Sequence, residues 1–180
     1  MLKIFGLFVT VLILIVISES PLTIIQGNSS ELIASEKKQQ SSYSELSGGQ
    51  VVMGISTFGM MVVAHAGGGM DQSQFNFLAE LVSLYQDQDK EHISKNLIKQ
   101  YDYLIAKATD EELKGLFMSG RELSIETRRE ILVSCLAMAM FNGQPNDKQF
   151  ILISTFFRWL DVSIDETKLL LEKAKRKLNS

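Results

Sequence analysis

Apolar residues are spread along this chain in three different ways, and each predicts a different kind of element. After Lys3 comes IFGLFVTVLILIVIS, 15 residues without a charge until Glu19. At a helical rise of about 1.5 Å per residue such a run reaches roughly 22 Å. That is short for a full span, but extension to Leu2, with Glu19 snorkelling to the interface, lengthens it. A secretory signal has the same basic start and apolar stretch, with Ser18 and Ser20 as small residues before a cut. Pro21 directly after that cut favours a retained anchor over residues 1–19. Residues 26–50 are rich in Ser, Gln and Gly with no apolar periodicity and bury too little to offset ordering, so 20–50 reads as a polar, flexible tether. The stretch 48–70, GGQVVMGISTFGMMVVAHAGGGM, is long enough for a second span and would then form a membrane hairpin. Seven glycines together with Gln50, Ser56, Thr57 and His65 lower its hydropathy, so a buried core helix is the preferred expectation.

From Asp71 onward the period is helical. Phe75, Leu78, Leu81 and Val82 recur at three and four residues, as do Leu97, Ile98, Tyr101, Leu104 and Ile105. Thr109 with Glu112, and Ser163 with Glu166, have capping-box spacing, in which each side chain satisfies an orphan amide of the other residue at a helix start. Helices are predicted at about 91–108, 110–118, 125–141, 147–160 and 164–178, and no alternating strand pattern occurs. Residues 51–180 are therefore expected to form one all-α domain.

Sliding the chain against itself by 75 residues sets AHAGGGMDQSQF over AMFNGQPNDKQF. This aligns Ala64 with Ala139, Gly68 with Gly143, Gln74 with Gln149, Phe75 with Phe150 and Glu91 with Glu166. Asp71 with Gln74, and Asn146 with Gln149, are capping pairs at equivalent places. Two helical hairpins, each an apolar helix broken at glycine and restarted by a cap, would hide against each other the faces that neither hides alone.

At these residues the chain resembles a family. A helix ending in Ala-acid-Gly, a short turn, and a glutamate seven residues after the acid, twice in one all-α domain, is similar to the tellurite-resistance TerB module. The same fold forms the amino-terminal part of DjlA membrane co-chaperones. The resemblance covers 51–180 and is densest in LVSCLAMAMFNGQPNDKQFILISTFFRWLDVS. Gly67 and Asn142 stand at the two acid places, and Gln74 and Gln149 at the two glutamate places, so turn and cap chemistry is kept and formal charge is lost. What the resemblance implies is a bundle of two pseudo-repeated helical hairpins at a bacterial inner membrane, with Gly68, Asp71, Gln74, Asn142, Gly143, Asn146 and Gln149 forming the motif turns and caps. Cation binding, the metal alternative, is left with Asp71 and Asp147, because hard cations require anionic oxygens.

Composition narrows the chemistry. The chain is 46% apolar and 22% charged with a formal net charge of −3, which disfavours a nucleic-acid partner. A single cysteine closes no internal disulfide. His65, His92 and Cys135 have neither zinc-ligand spacing nor dyad spacing. Asp110, Glu111 and Glu112 fall in a predicted first helical turn, where negative charge complements the dipole. Gly67–Gly69 follow no strand and precede no Lys-Ser or Lys-Thr, so they are a turn and not a phosphate loop. Met53, Met60, Met61, Met138 and Met140, like Phe156, Phe157 and Trp159, are expected in the core. The basic residues of KLLLEKAKRKL suit the negative end of a helix dipole, with attraction to anionic lipid as the sharper alternative. These features lead to the expectation of a non-enzymatic, cofactor-free module for docking or sensing. It meets the lipid bilayer through residues 4–18 in a single pass and meets a protein partner whose identity the sequence does not give.

Overall fold

The computed structural model describes residues 48–83 and 90–179, and the anchor and most of the tether expected from the sequence lie outside the described residues. Among the described residues there are seven α-helices and no strand: α1 Gly48–Ala66, α2 Gln72–Ser83, α3 Lys90–Lys107, α4 Asp110–Ser119, α5 Ile125–Met140, α6 Asp147–Trp159 and α7 Thr167–Leu178. Short 3-10 turns, Gly120–Glu122 and Ile164–Glu166, precede α5 and α7. The helix α1 takes in the last three residues of the expected tether, Gly48 to Gln50.

The core is built around α1 and α5, which pack side by side along their length. Residues Ile131–Ala139 of α5 are all buried, since α1 covers one side and α7 another. A helix enclosed in this way is apolar all round and shows little amphipathic period. The same holds for α1, whose Ile55, Phe58, Met61 and Val63 are buried. No described helix is long and apolar enough to cross a membrane. At Gly59 the two central helices meet: a Cβ there would stand 2.7 Å from Cys135 Sγ and 2.8 Å from Phe117 Cζ. Glycine is thus needed for close approach, and Phe117 uses the space to stack on Phe156 with ring centroids 3.9 Å apart. The expected methionines join this core, with Met140 partly buried at its edge.

One local expectation needs correction. Ser163 and Glu166 do not form a capping box: Ser163 Oγ accepts from the Asp165 amide, and the chain makes a 3-10 turn before α7 begins at Thr167. The Glu166 carboxylate instead takes two hydrogen bonds from Arg129, at 2.6 and 3.1 Å. A forked guanidinium pair, half-buried, outcompetes a local cap. The aligned phenylalanines differ in their surroundings. Phe75 is buried and meets Tyr101 of α3 edge-on at 5.6 Å, whereas Phe150 is exposed. The reason is the route of the following helix, since α3 packs on α2 while α7 packs on α5 and leaves the outer side of α6 bare.

Candidate functional site at the paired turns

The glycine turns after α1 and α5 meet at one end of the bundle. In the first, the Gly67 amide donates to the Val63 and Ala64 carbonyls at 3.1 and 3.0 Å, and the Gly69 amide donates to Ala64 at 3.1 Å. Gly68 and Gly69 have φ of 122° and 114°, a region L side chains rarely adopt. In the second turn the Gly143 amide donates to the Met140 carbonyl at 3.0 Å with φ 117°.

Each turn ends in a reciprocal cap. The Gln74 amide donates to Asp71 Oδ1 at 2.9 Å while the Asp71 amide donates to Gln74 Oε1 at 3.0 Å. Asn146 and Gln149 repeat the exchange at 3.0 Å in both directions. Both glutamines are buried, which is why a neutral amide serves where a carboxylate would be left desolvated.

The caps also join the two turns. Asn142 Nδ2 donates to Asp71 Oδ2 at 2.9 Å. Asn146 Nδ2 donates to the Ala66 carbonyl at 3.3 Å, and buried Gln149 Nε2 donates to the Val63 carbonyl at 3.1 Å. The second cap therefore gives the Ala66 carbonyl at the end of α1 a donor and adds a second donor to the Val63 carbonyl, which already accepts from the Gly67 amide. Gly67 makes this possible: a Cβ at that position would lie 2.6 Å from Gln149 Nε2. Glycine at position 67 and glutamine at 149 are thus one steric arrangement.

This geometry commits the polar side chains of the paired turns to one another. Asp71 accepts from the Ser73 hydroxyl, the Gln74 amide and Asn142, and these bonds, the Ser73 one foremost, hold its carboxyl down at about 2. A carboxylate with three donors on it offers few lone pairs to a cation. Asp147 is exposed in the first turn of α6. Among the described residues no three His, Cys, Asp or Glu side chains gather as a metal-holding group. His65 is exposed and shares a hydrogen bond of 3.0 Å with the Tyr101 hydroxyl. The side chain of His92 lies outside the described residues. Cys135 is fully buried, and burial pushes its thiol up to about 12 despite the field of Lys177. It is a small core residue and not a nucleophile at neutral pH. A groove of about 520 Å³ between α2 and α3 includes Glu91, which is paired with Lys95 at 2.7 Å.

Sequence reasoning placed Tyr101 in an apolar period but missed that its hydroxyl braces the first turn through His65, and it passed over the arginines that reach the end of α6. Arg121 donates from Nε to the Trp159 carbonyl at 2.8 Å and from Nη2 to Arg158 at 3.0 Å. Arg128 donates from Nη1 to the Leu160 and Asp161 carbonyls at 2.8 and 3.1 Å. No local spacing announces bonds made across more than thirty residues. Compared with known proteins, the chain matches no family model, no curated protein and no solved structure.

Proposed function

We propose that this chain is a membrane-tethered, TerB-like helical module that docks a protein partner or senses stress at a bacterial inner membrane and catalyses nothing. One observation carries the reading: the polar residues singled out by the repeat are spent on joining two turns. Asp71, Asn142, Asn146 and Gln149 hold the ends of α1, α2 and α6 together. Of the side chains weighed for nucleophilic chemistry, Cys135 is committed to the core and His65 shares a hydrogen bond with Tyr101, well apart from it in the chain. A rigid bundle on a polar tether behind an apolar segment is suited to presenting a surface, and the two capped turns support the likeness to TerB. The cation-binding alternative has less support, because a neutral Asn142 faces Asp71 where a second carboxylate would be required.

Chemical crosslinking of the full chain in native membranes tests this. A discrete protein adduct that survives washing of the membranes is expected. A chain released by washing, or one that forms no adduct, would overturn the reading. Calorimetric titration with Ca²⁺ or Mg²⁺ is expected to give no binding heat, and saturable heat would restore the metal reading.

A further inference from the structure

Charge is segregated within the folded domain. The helix α7 carries five Lys and Arg against one Glu, whereas residues 51–166 carry ten Lys and Arg against sixteen Asp and Glu. The inner side of α7 is accounted for: Leu170 and Ala174 are buried against the core, and Lys177 turns inward to donate to Ser134 Oγ at 3.1 Å. The outer side is a different surface. Lys168, Lys173, Lys175 and Arg176 are exposed there, and Leu169 lies among them, 57% exposed. Glu172, the one acid of the helix, is held by Lys175 at 2.9 Å, and its carboxyl is lowered by that bond and by the fields of Arg176 and Lys168. Ile164, in the turn leading into the helix, is also 52% exposed. Dipole complementarity accounts for cations in the last turn but not for Lys168 in the first, nor for exposed aliphatic side chains beside it.

We infer that the outer face of α7 lies on an anionic lipid surface, with Lys168, Lys173, Lys175 and Arg176 at the headgroups and Leu169 and Ile164 turned toward the acyl boundary. Four exposed cations on one amphipathic helix is the pattern that anionic bilayers attract. An acidic body behind a basic helix gives the domain a preferred orientation on such a surface, α7 downward. The face is too small to hold the domain alone, so the inference rests on the proposed anchor. The tether of that proposal, residues 20–50 read as a Ser- and Gly-rich coil, would have a root-mean-square reach of about 30 Å and so keep α7 within contact range.

The test uses the full chain reconstituted into two sets of vesicles, one wholly zwitterionic and one containing a third of phosphatidylglycerol. Accessible lysines are acetylated with a water-soluble reagent and quantified by mass spectrometry. In anionic vesicles at low salt, labelling of Lys168, Lys173 and Lys175 is expected to fall about fivefold, while Lys99 and Lys114 on other helices are unchanged. The protection should vanish near 1 M salt, where the screening length is about 3 Å. The double variant K168E/K173E, checked for an unchanged melting temperature, should show no protection at Lys175. Equal labelling of α7 in both vesicle types overturns the inference. So does protection that also appears in zwitterionic vesicles and grows with protein concentration, which would mean contact with the acidic body of a second copy. Co-sedimentation with zwitterionic vesicles reports the anchor separately, so failure of the tether and failure of the lipid face give different results.

Discussion

Asp71 shows how one side chain can close a site. Its carboxyl is held at about 2 against an ordinary value of 3.8. A depressed carboxylate contributes stability that is fully present above its unfolded value and is lost as pH falls toward the folded one. Urea unfolding at a series of pH values should therefore show stability declining between about pH 4 and pH 2. Asp71→Asn keeps an oxygen for the Gln74 amide but removes the charge, so it should flatten that part of the profile. Gly67 gives a second residue-scale expectation. Gly67→Ala drives a methyl into Gln149 Nε2 and should cost about 1–3 kcal/mol. Gln149→Ala forfeits the bonds to Asn146 and Val63 and should cost about as much. The double variant should lose clearly less than the sum, because both changes remove one contact, and denaturant midpoints would show it. The glutamine and glycine were visible in the sequence as departures from the resembled family. Their mutual dependence was not, because it needs residues 67 and 149 in contact.

At the scale of elements, what was legible depended on how local the cause was. Caps at Asn146 and Thr109 are made within three residues, and α4 and α6 begin where that spacing places them. The cap expected at Ser163 failed because a guanidinium from α5 competes for Glu166, and nothing near residue 166 announces Arg129. The end of α6 is the strongest case of non-local control, with four successive carbonyls, Arg158 to Asp161, receiving donors from Arg121 and Arg128. Arg128→Met should destabilise the domain by about 1–3 kcal/mol, since two of these carbonyls lose a charged donor. Asp161 sits just beyond with φ 55°, and the Val162 amide closes the turn onto the Phe157 carbonyl at 2.9 Å. Asp161→Gly should shift stability the other way, by up to about 1 kcal/mol, because glycine bears no steric cost in that region. Opposite signs from two adjacent contacts, read by thermal or urea unfolding, would separate the carbonyl clamp from general packing.

For the whole molecule, the all-α class and the burial of α1 followed from composition and period alone. The stretch 48–66, which buries Phe58, Met61 and Val63, is a core helix in which Gly59 serves close packing, while Gly67, Gly68 and Gly69 form the turn after it. The routes of α3 and α7 were not legible. Both α3 and α7 are amphipathic, and only the packed structure shows that α3 covers α2 while α7 covers α5. Burial of Cys135 belongs at this scale too, since α1 and α5 enclose it together. The native protein should resist thiol reagents at pH 8, and labelling should appear only with unfolding. The functional account joins this closed bundle to an apolar segment and a polar tether. Its most direct test is crosslinking in isolated membranes, comparing the full chain with one lacking residues 1–19. The expected result is that the full chain stays with washed membranes and yields a defined protein adduct, while the shortened chain is released and yields none. A full chain that washes off, or one that stays without any adduct, would contradict a tethered docking module.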